Sequence, residues 1–285
     1  MKSIDKSRIT GSYSISKVCQ EYDLKRDAFY KYEKRFVKKE QKKELILNLV
    51  KQRRKTLPRE GVRKLQKSLS KTFTEQNIKF GRDSLFDLLR ENNMLVKRKK
   101  ASFKTTNSYH HFHKYSNLIK ELDITKINQV WVSDITYIRT IDGFCYLALI
   151  TDVYSRKIIG FDVSDTLELV GSLRALKQAL RRSSNIEGLY HHSDRGVQYC
   201  SNEYVNELKK HNIKISMTEE NHCYENAIAE RVNGILKDEF FIDQTFFDTK
   251  HAQRAIKNAI KLYNSERLHL SLKYKTPENV YKSIA

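Results

Sequence analysis

The sequence predicts an α/β protein in which a mixed five-stranded sheet flanked by helices follows basic, all-α modules. Two observations carry this prediction. Apolar residues recur at helical spacing up to about residue 100 and at strand-like spacing after about residue 125. The later segments follow the order β-β-β-α-β-α-β-α, which is typical of a sheet with helices on its faces.

Positive charge is confined to the first part of the chain. Residues 1–120 contain 32 Lys and Arg against 12 Asp and Glu, whereas residues 121–285 contain 22 of each. This surplus predicts a polyanionic partner, and nucleic acid is expected because phosphate neutralisation dominates its binding. The alternatives are a solvated basic surface and an acidic membrane surface, although no segment combines a Lys-rich face with a strongly apolar one.

Two basic helical modules are predicted in this part. SISKVCQEY (14–22), the turn DLK and RDAFYKYEKRF (26–36) have the spacing of a helix-turn-helix DNA reader, which any helical hairpin shares; Asp23 is the expected N-cap of the second helix. The second module has a helix after Pro58 and another at 81–95. The basic residues expected to contact DNA are Lys25, Arg26, Arg82, Lys97, Arg98, Lys99 and Lys100.

The later region supplies the predicted sheet. Segment 129–138 is the first strand, and FCYLALITDV and RKIIGFDVS form an antiparallel hairpin that turns at Tyr154 and Ser155. Leu169, Leu173, Leu176 and Leu180 then mark one face of a helix packed on the sheet. Further strands are expected at 188–192 and 214–218, and further helices at 202–211, from about 224 into the 230s, and at about 249–264.

The sequence also predicts a cellular compartment. No apolar run approaches the roughly 18 residues of a membrane span, and the first ten residues lack the apolar stretch of a signal peptide. The four cysteines form no CxxC pair, which argues against a disulfide framework and a Cys-rich zinc site. We therefore expect a cytoplasmic protein without membrane contact.

Three acidic residues form the candidate catalytic site. Asp134 lies in the middle of an apolar strand, where a charge is costly unless paired or bound to metal. Asp194 follows the fourth strand in HHSDRG, where Gly196 would allow a sharp turn, and Glu230 lies within a helix. An oxygen-only set of this kind suits Mg²⁺ or Mn²⁺, and two such ions can support in-line phosphoryl transfer.

The helix that carries Glu230 presents a polar stripe. Lys237 lies seven residues after Glu230, about two turns on, and Asn226 and Asn233 share the same face. Amides and a lysine beside a carboxylate predict contacts with a DNA backbone near the reacting phosphate. The basic Arg231 is also expected to contact this DNA. An ordinary polar helix face is the alternative.

WVSDITYI, HHSDRGVQYCS and CYENAIAERVNGILKDE resemble the three catalytic blocks of the integrase-like transposases, the superfamily that includes retroviral integrases. Asp194 and Glu230 are separated by 35 residues, the spacing of the D,D(35)E subgroup. Within it the chain is similar to the second reading-frame product of bacterial insertion sequences that move by copying out and pasting in. The tail YNSERLHLSLKYKTPENV (263–280) and the helical region at about 44–100 share this resemblance.

The resemblance implies an RNase H-like core in which Asp134, Asp194 and Glu230 bind two metal ions, and in which Lys237 contacts DNA near the cleaved end. The chain departs from the family pattern in two places. His222 and Glu225 stand where Gly and Asp are usual, and Arg231 and Val232 stand where aromatic residues are usual. Neither departure affects an expected metal ligand, and the resemblance then implies an active enzyme whose handling of DNA near the site differs from the family pattern.

The predicted domains are a helix-turn-helix-like segment at 1–40, a second such domain at 41–105, a linker at 106–125, the catalytic core at 126–245 and a helical extension at 246–285. The expected function is metal-dependent cleavage of insertion-element ends and strand transfer by 3′-OH attack. Expected partners are double-stranded DNA of the terminal inverted repeats and target, further copies of the chain, and an upstream-frame DNA-binding partner or fusion. The alternatives are a nuclease that only cuts and a DNA-binding regulator with an inactive core.

Overall fold

A computed structural model of the chain describes residues 14–97, 111–219 and 226–283. They fall into two compact units. The smaller unit comprises the described parts of Met1–Arg53 and Leu69–Leu95, and the larger comprises those of Arg54–Ser68 and Val96–Ala285. Within these ranges, no helix is both long and apolar enough to cross a lipid bilayer.

The first helical pair of the smaller unit is α1 (Ile15–Glu21) and α2 (Arg26–Thr56). Ser14 caps α1, and Val18, Cys19 and Phe29 form a small core between the two helices. Asp23 is not the predicted N-cap of α2, since it lies three residues before that helix and has a left-handed φ of 48°. It instead ends α1, because the amide groups of residues 23 and 24 donate to the carbonyl groups of residues 20 and 19.

Helix α2 differs most from its prediction. It was expected to end near Phe36, yet it continues to Thr56 and passes through the predicted domain boundary at residues 40 and 41. Residues 26–56 contain neither Gly nor Pro, so nothing in the sequence interrupts the helix. Asp27 and Lys31, one turn apart near its start, form an exposed ion pair at 2.8 Å.

The predicted helices of the second module are present. They are α3 (Val62–Ser68) and, after the short helix α4 (Ser70–Glu75), which was not predicted, α5 (Arg82–Glu91). Helix α3 belongs to the larger unit, whereas α4 and α5 belong to the smaller one. Helix α5 ends earlier than the predicted residue 95 because Asn93 adopts a left-handed φ of 54° that terminates it.

The larger unit is built on the predicted mixed sheet. Its strands are β1 (Val130–Thr140), β2 (Gly143–Asp152), β3 (Ile158–Ser164), β4 (Tyr190–Ser193) and β5 (Lys214–Met217). They lie in the order β3-β2-β1-β4-β5, with antiparallel β1–β2 and β2–β3 pairs and parallel β1–β4 and β4–β5 pairs. Strand β4 pairs directly with the central strand β1, so the residue that follows β4 lies beside β1.

Helices cover both faces of this sheet. They are α6 (Leu169–Arg182), α7 (Val197–Cys200), α8 (Asn202–Lys210), α9 (Ala227–Glu239), α10 (Thr249–Ser265) and α11 (Pro277–Lys282), with a 3₁₀ turn at Leu270–Leu272. Trp131 and Ile150 pack with α6 and α8 on one face. Ile138 and Leu147 pack with α9 and α10 on the other. The predicted fold class is therefore confirmed.

Helix α6 contacts the sheet through small residues rather than through its leucines alone. Of the four predicted leucines only Leu176 is buried, and the others are partly buried at the edge of the same core. Ala175 and Ala179 instead lie against Gly160 of β3. A Cβ atom on Gly160 would lie 2.3 Å from the carbonyl oxygen of Ala175, so glycine permits this close approach.

Replacement of Gly160 by alanine should destabilise the larger unit by about 1–3 kcal/mol, because the backbone of α6 must move to accept one methyl group. Urea unfolding of the full chain measures this change. Gly61→Ala is the control, since nothing lies within 4 Å of its Cβ position. Equal stabilities of the two variants would contradict close packing at Gly160.

Candidate active site

The parallel pairing of β1 with β4 brings two of the predicted carboxylates together. Val130 lies opposite Tyr190 and Val132 opposite His192. Asp194 is the residue that directly follows β4, and Asp134 lies two residues beyond the last β1 residue paired with β4. The charge of Asp194 acts on the Asp134 carboxyl group, so the two side chains lie near each other.

The electrostatics of Asp134 reflect this arrangement. Burial raises the pKa of its carboxyl group to about 7, and the charges of Asp194 and Glu230 contribute to the rise. Asn233 Nδ2 donates to Asp134 Oδ2 at 2.7 Å, and Ile135 N donates to Oδ1 at 3.0 Å. These bonds lower the pKa without offsetting burial and repulsion. A cation beside the carboxylates would favour their charged forms.

Asp194 is held by the turn between β4 and α7. Its Oδ1 accepts a hydrogen bond from Gly196 N at 3.1 Å. Gly196 has a φ of −67°, so the turn does not need a left-handed glycine, contrary to the simplest reading of the sequence. A Cβ atom on Gly196 would approach Asp194 Oδ1 to 3.0 Å, so the glycine gives this carboxylate space.

Glu230 lies in the first turn of α9 and is exposed. Two asparagines hold the helix on β1. Asn226 Nδ2 donates to Ser133 O at 3.1 Å, and Asn233 donates to Asp134. Glu230 lies between them in sequence, and its charge acts on Asp134. Among the described residues, however, no three Asp, Glu, His or Cys side chains are already grouped as metal ligands.

The two asparagines have a different role from the predicted one. Asn226 and Asn233 are 4% and 5% exposed, and their amide groups donate to β1 rather than to solvent. The predicted direct DNA contacts of these two residues are therefore corrected to contacts that hold α9 on the sheet. Their Oδ1 atoms are buried and have no hydrogen-bond partner within the described ranges.

Lys237 and Arg231 remain at the surface of α9. Lys237 is half-buried; burial lowers the pKa of its ammonium group, while the charges of Asp134 and Asp243 raise it. The ammonium group is thus within electrostatic reach of Asp134. Arg231 is exposed beside Glu230, where its charge is accessible to an anionic ligand.

A buried polar cluster supports the acidic pair from the other face of the sheet. His191 Nε2 lies 2.7 Å from Ser133 Oγ and 2.9 Å from the hydroxyl group of Tyr204. Burial lowers the pKa of His191 to about 3, so the ring is neutral near pH 7. The HHS segment therefore carries a structural histidine, which its position in an apolar strand could have signalled.

The two basic helical modules, together called the basic arm, carry the other predicted DNA contacts, and these side chains have different surroundings. Lys25, Arg26 and Lys97 are exposed. Arg82 is also exposed, and its Nε donates to Asp83 Oδ1 at 2.9 Å. Arg98, Lys99 and Lys100 lie outside the described residues.

Asp134→Asn should stabilise the metal-free protein at pH 8 by about 1–3 kcal/mol. The folded-state pKa of Asp134, about 7, exceeds the ordinary value of 3.8 for this carboxyl group, so the folded state binds more protons between these pH values. Wild-type stability therefore falls as pH rises through this window, and the variant escapes this loss. Urea unfolding in the presence of a chelator measures the effect, which should vanish below about pH 4. An equal gain at pH 4 and pH 8 would exclude the burial and repulsion of a charged Asp134 as its cause.

Comparisons with known proteins agree with this architecture. The integrase core domain family matches residues 124–223, and a second integrase core domain family matches residues 211–277. The chain is 35% identical over 261 residues to the insertion element IS600 uncharacterized 31 kDa protein of Shigella sonnei, covering 90% of this chain and 94% of that protein. It is 38% identical over 143 residues to Transposase InsF for insertion sequence IS3A of Escherichia coli, covering 50% of each.

Among solved structures, the HTLV-2 integrase catalytic core domain in complex with magnesium aligns with a TM-score of 0.42 and 19% identity, covering 54% of this chain and 96% of that chain. The family assignment rests on the sequence relatives, since the IS600 protein matches along nearly its whole length. The chain belongs to the IS3-family transposases, the insertion-sequence transposases with an integrase core domain.

Proposed function

We propose that this transposase cleaves the ends of its insertion element and joins each freed 3′ end to a second phosphodiester. In the first step water attacks phosphorus and the 3′ oxygen leaves. In the second step that 3′-OH attacks target phosphorus and displaces the target's 3′ oxygen. The observation that carries the proposal is the parallel pairing of β1 with β4, which brings Asp194, the residue after β4, close enough to Asp134 for its charge to act on that carboxyl group.

Asp134, Asp194 and Glu230 are the residues that would hold divalent ions, Mg²⁺ or Mn²⁺, with two ions per site. Their oxygen-only chemistry fits these hard cations. Burial, with the charges of Asp194 and Glu230, raises the pKa of Asp134, and a nearby cation would lower it again. Bound ions of this kind stabilise the attacking and leaving oxygens of an in-line displacement. Because Glu230 is not yet grouped with the two aspartates, we propose that it completes the set when metal binds.

The remaining side chains of α9 position the carboxylates and the DNA. Asn233 orients Asp134 through its 2.7 Å hydrogen bond, and Asn226 fixes the start of the helix to the backbone of β1. Lys237 and Arg231 are cations beside the acidic site, and we propose that they contact phosphates of the DNA end.

The basic arm supplies the proposed affinity for double-stranded DNA of the terminal inverted repeats and target. Lys25, Arg26, Arg82, Lys97, Arg98, Lys99 and Lys100 are the proposed phosphate contacts of the arm. Two element ends must be handled together, so we propose a dimer or larger assembly, with an upstream-frame DNA-binding protein as a further partner. Action on the bacterial chromosome would locate the protein at the nucleoid, in the cytoplasm.

Asp194→Asn should reduce both cutting and joining by at least about a hundredfold, because it removes one charged oxygen ligand from the site. The measurement is a strand-transfer assay with Mg²⁺ and a duplex that carries the element's own ends. DNA binding, measured by mobility shift, should remain at the wild-type level because Asp194 lies outside the basic arm. Wild-type cutting and joining by the variant would refute the assignment.

The same assay separates the alternatives. A nuclease that only cuts would release the 3′ end without forming a joined product, and a regulator with an inactive core would bind the duplex without any metal-dependent product. The full acidic set and the integrase core match favour the joining enzyme over both.

A further inference from the structure

The C-terminal end of α9 is held by side chains from two distant segments. Lys64 of α3 donates from Nζ to both carboxylate oxygens of Glu239, each at 3.0 Å. Arg267, which follows α10, donates from Nε to Oε2 at 2.8 Å and from Nη2 to Oε1 at 2.6 Å. Each carboxylate oxygen of Glu239 thus accepts two charged hydrogen bonds, which are stronger than neutral ones.

The three side chains are largely shielded from solvent. The exposed fractions are 5% for the Arg267 side chain, 11% for that of Lys64 and 22% for that of Glu239. Burial raises the pKa of Glu239, but its bonds with Arg267 and Lys64 hold the pKa below the ordinary value. The charge of buried Glu60 also acts favourably on the Lys64 ammonium group.

The segment that carries Lys64 also contacts the backbone of α9. Arg59 Nη1 donates to the carbonyl oxygen of Asp238 at 3.1 Å, and its guanidinium group lies 5.8 Å from the centre of the Phe241 ring. Carbonyl groups in the last turn of a helix have no partner within the helix, so Arg59 satisfies one of them. Residues 54–68 therefore contact this end of α9 at both a side chain, that of Glu239, and a backbone carbonyl group, that of Asp238.

The clamped end and the acidic site lie on the same helix. Glu239 is nine residues after Glu230, or about 13 Å along a continuous helix. Asn226, at the start of α9, and Asn233, at its middle, hold the helix against β1. A shift of the clamped end would therefore move Glu230 relative to the aspartates.

We propose that Glu239, clamped between Lys64 and Arg267, is a positioning residue that sets the distance of Glu230 from Asp134 and Asp194. The proposal rests on the proposed function in that Glu230 is taken as a metal ligand. Replacing a buried ionic network by apolar side chains is often neutral or stabilising, so stability alone does not require this one. Its location at the end of α9 points to a role in geometry.

Two variants test the clamp. Glu239→Gln leaves two shielded cations facing an amide, so it can also lose folding stability. The second variant, Lys64→Met/Glu239→Leu/Arg267→Met, keeps the site filled with apolar side chains of similar size and is expected to fold. The matched control is Asp162→Leu/Arg174→Met, which removes another bidentate pair of the larger unit, at 2.9 and 2.7 Å, away from α9.

Strand transfer is measured against Mn²⁺ concentration, and amide hydrogen exchange is followed across α9. We expect the triple variant to bind DNA normally and to need at least about tenfold more Mn²⁺ for half-maximal rate. Its loss of rate should be smaller at saturating Mn²⁺ than at limiting Mn²⁺. Amides of α9 should exchange faster than in the wild type. The control variant should match the wild type in both measurements.

Hydrogen exchange requires no activity, so it separates failure of the clamp from failure of the proposed function. Wild-type exchange and wild-type metal dependence in the triple variant would overturn the clamp. Faster exchange with unchanged metal dependence would mean that the clamp is only a structural contact. That result would also overturn the positioning role. A wild-type protein without any metal-dependent product would instead overturn the proposed function.

Discussion

The parallel pairing of β1 with β4 is the constraint on which the rest of the site depends. It brings Asp194, the residue after β4, near Asp134 of β1, so two like charges share a region where burial already disfavours ionisation. The backbone hydrogen bonds of the strand pair fix the segments that lead to the two carboxylates. Burial and the neighbouring charges disfavour the ionised form of Asp134, and the Asn233 hydrogen bond only partly offsets them.

Helix α9 is the second component of the site, and it is held at both ends. Asn226 and Asn233 bind it to β1 near Glu230, while Lys64 and Arg267 hold Glu239 at its far end. Because a helix transmits displacement along its axis, contacts about 13 Å from the carboxylate still bear on its position. The basic N-terminal region therefore contributes to the catalytic unit as well as to the arm.

Much of the fold was predictable because periodicity is a local property of the chain. Alternating apolar residues predicted all five strands, and the β2–β3 hairpin turn at Tyr154 and Ser155 was also predicted. The length of α2 was underestimated because its polar middle lacks an apolar stripe, although nothing there breaks a helix. The role of Asp23 was missed because a residue between two helices can end one or begin the next, and only its backbone angle decides.

The sequence by itself determined the fold class and the family resemblance, and it identified the three acidic residues of the candidate site. These inferences depend on spacing and residue type within short segments. Only the tertiary structure decided which side chains of different segments meet. Asn226 and Asn233 shared a predicted polar face, yet packing directed both to β1. Lys64 and Glu239 are separated by 175 residues, and no local pattern relates them. Periodicity encodes the face of a helix or strand, whereas the partner of that face is set by how the whole chain packs.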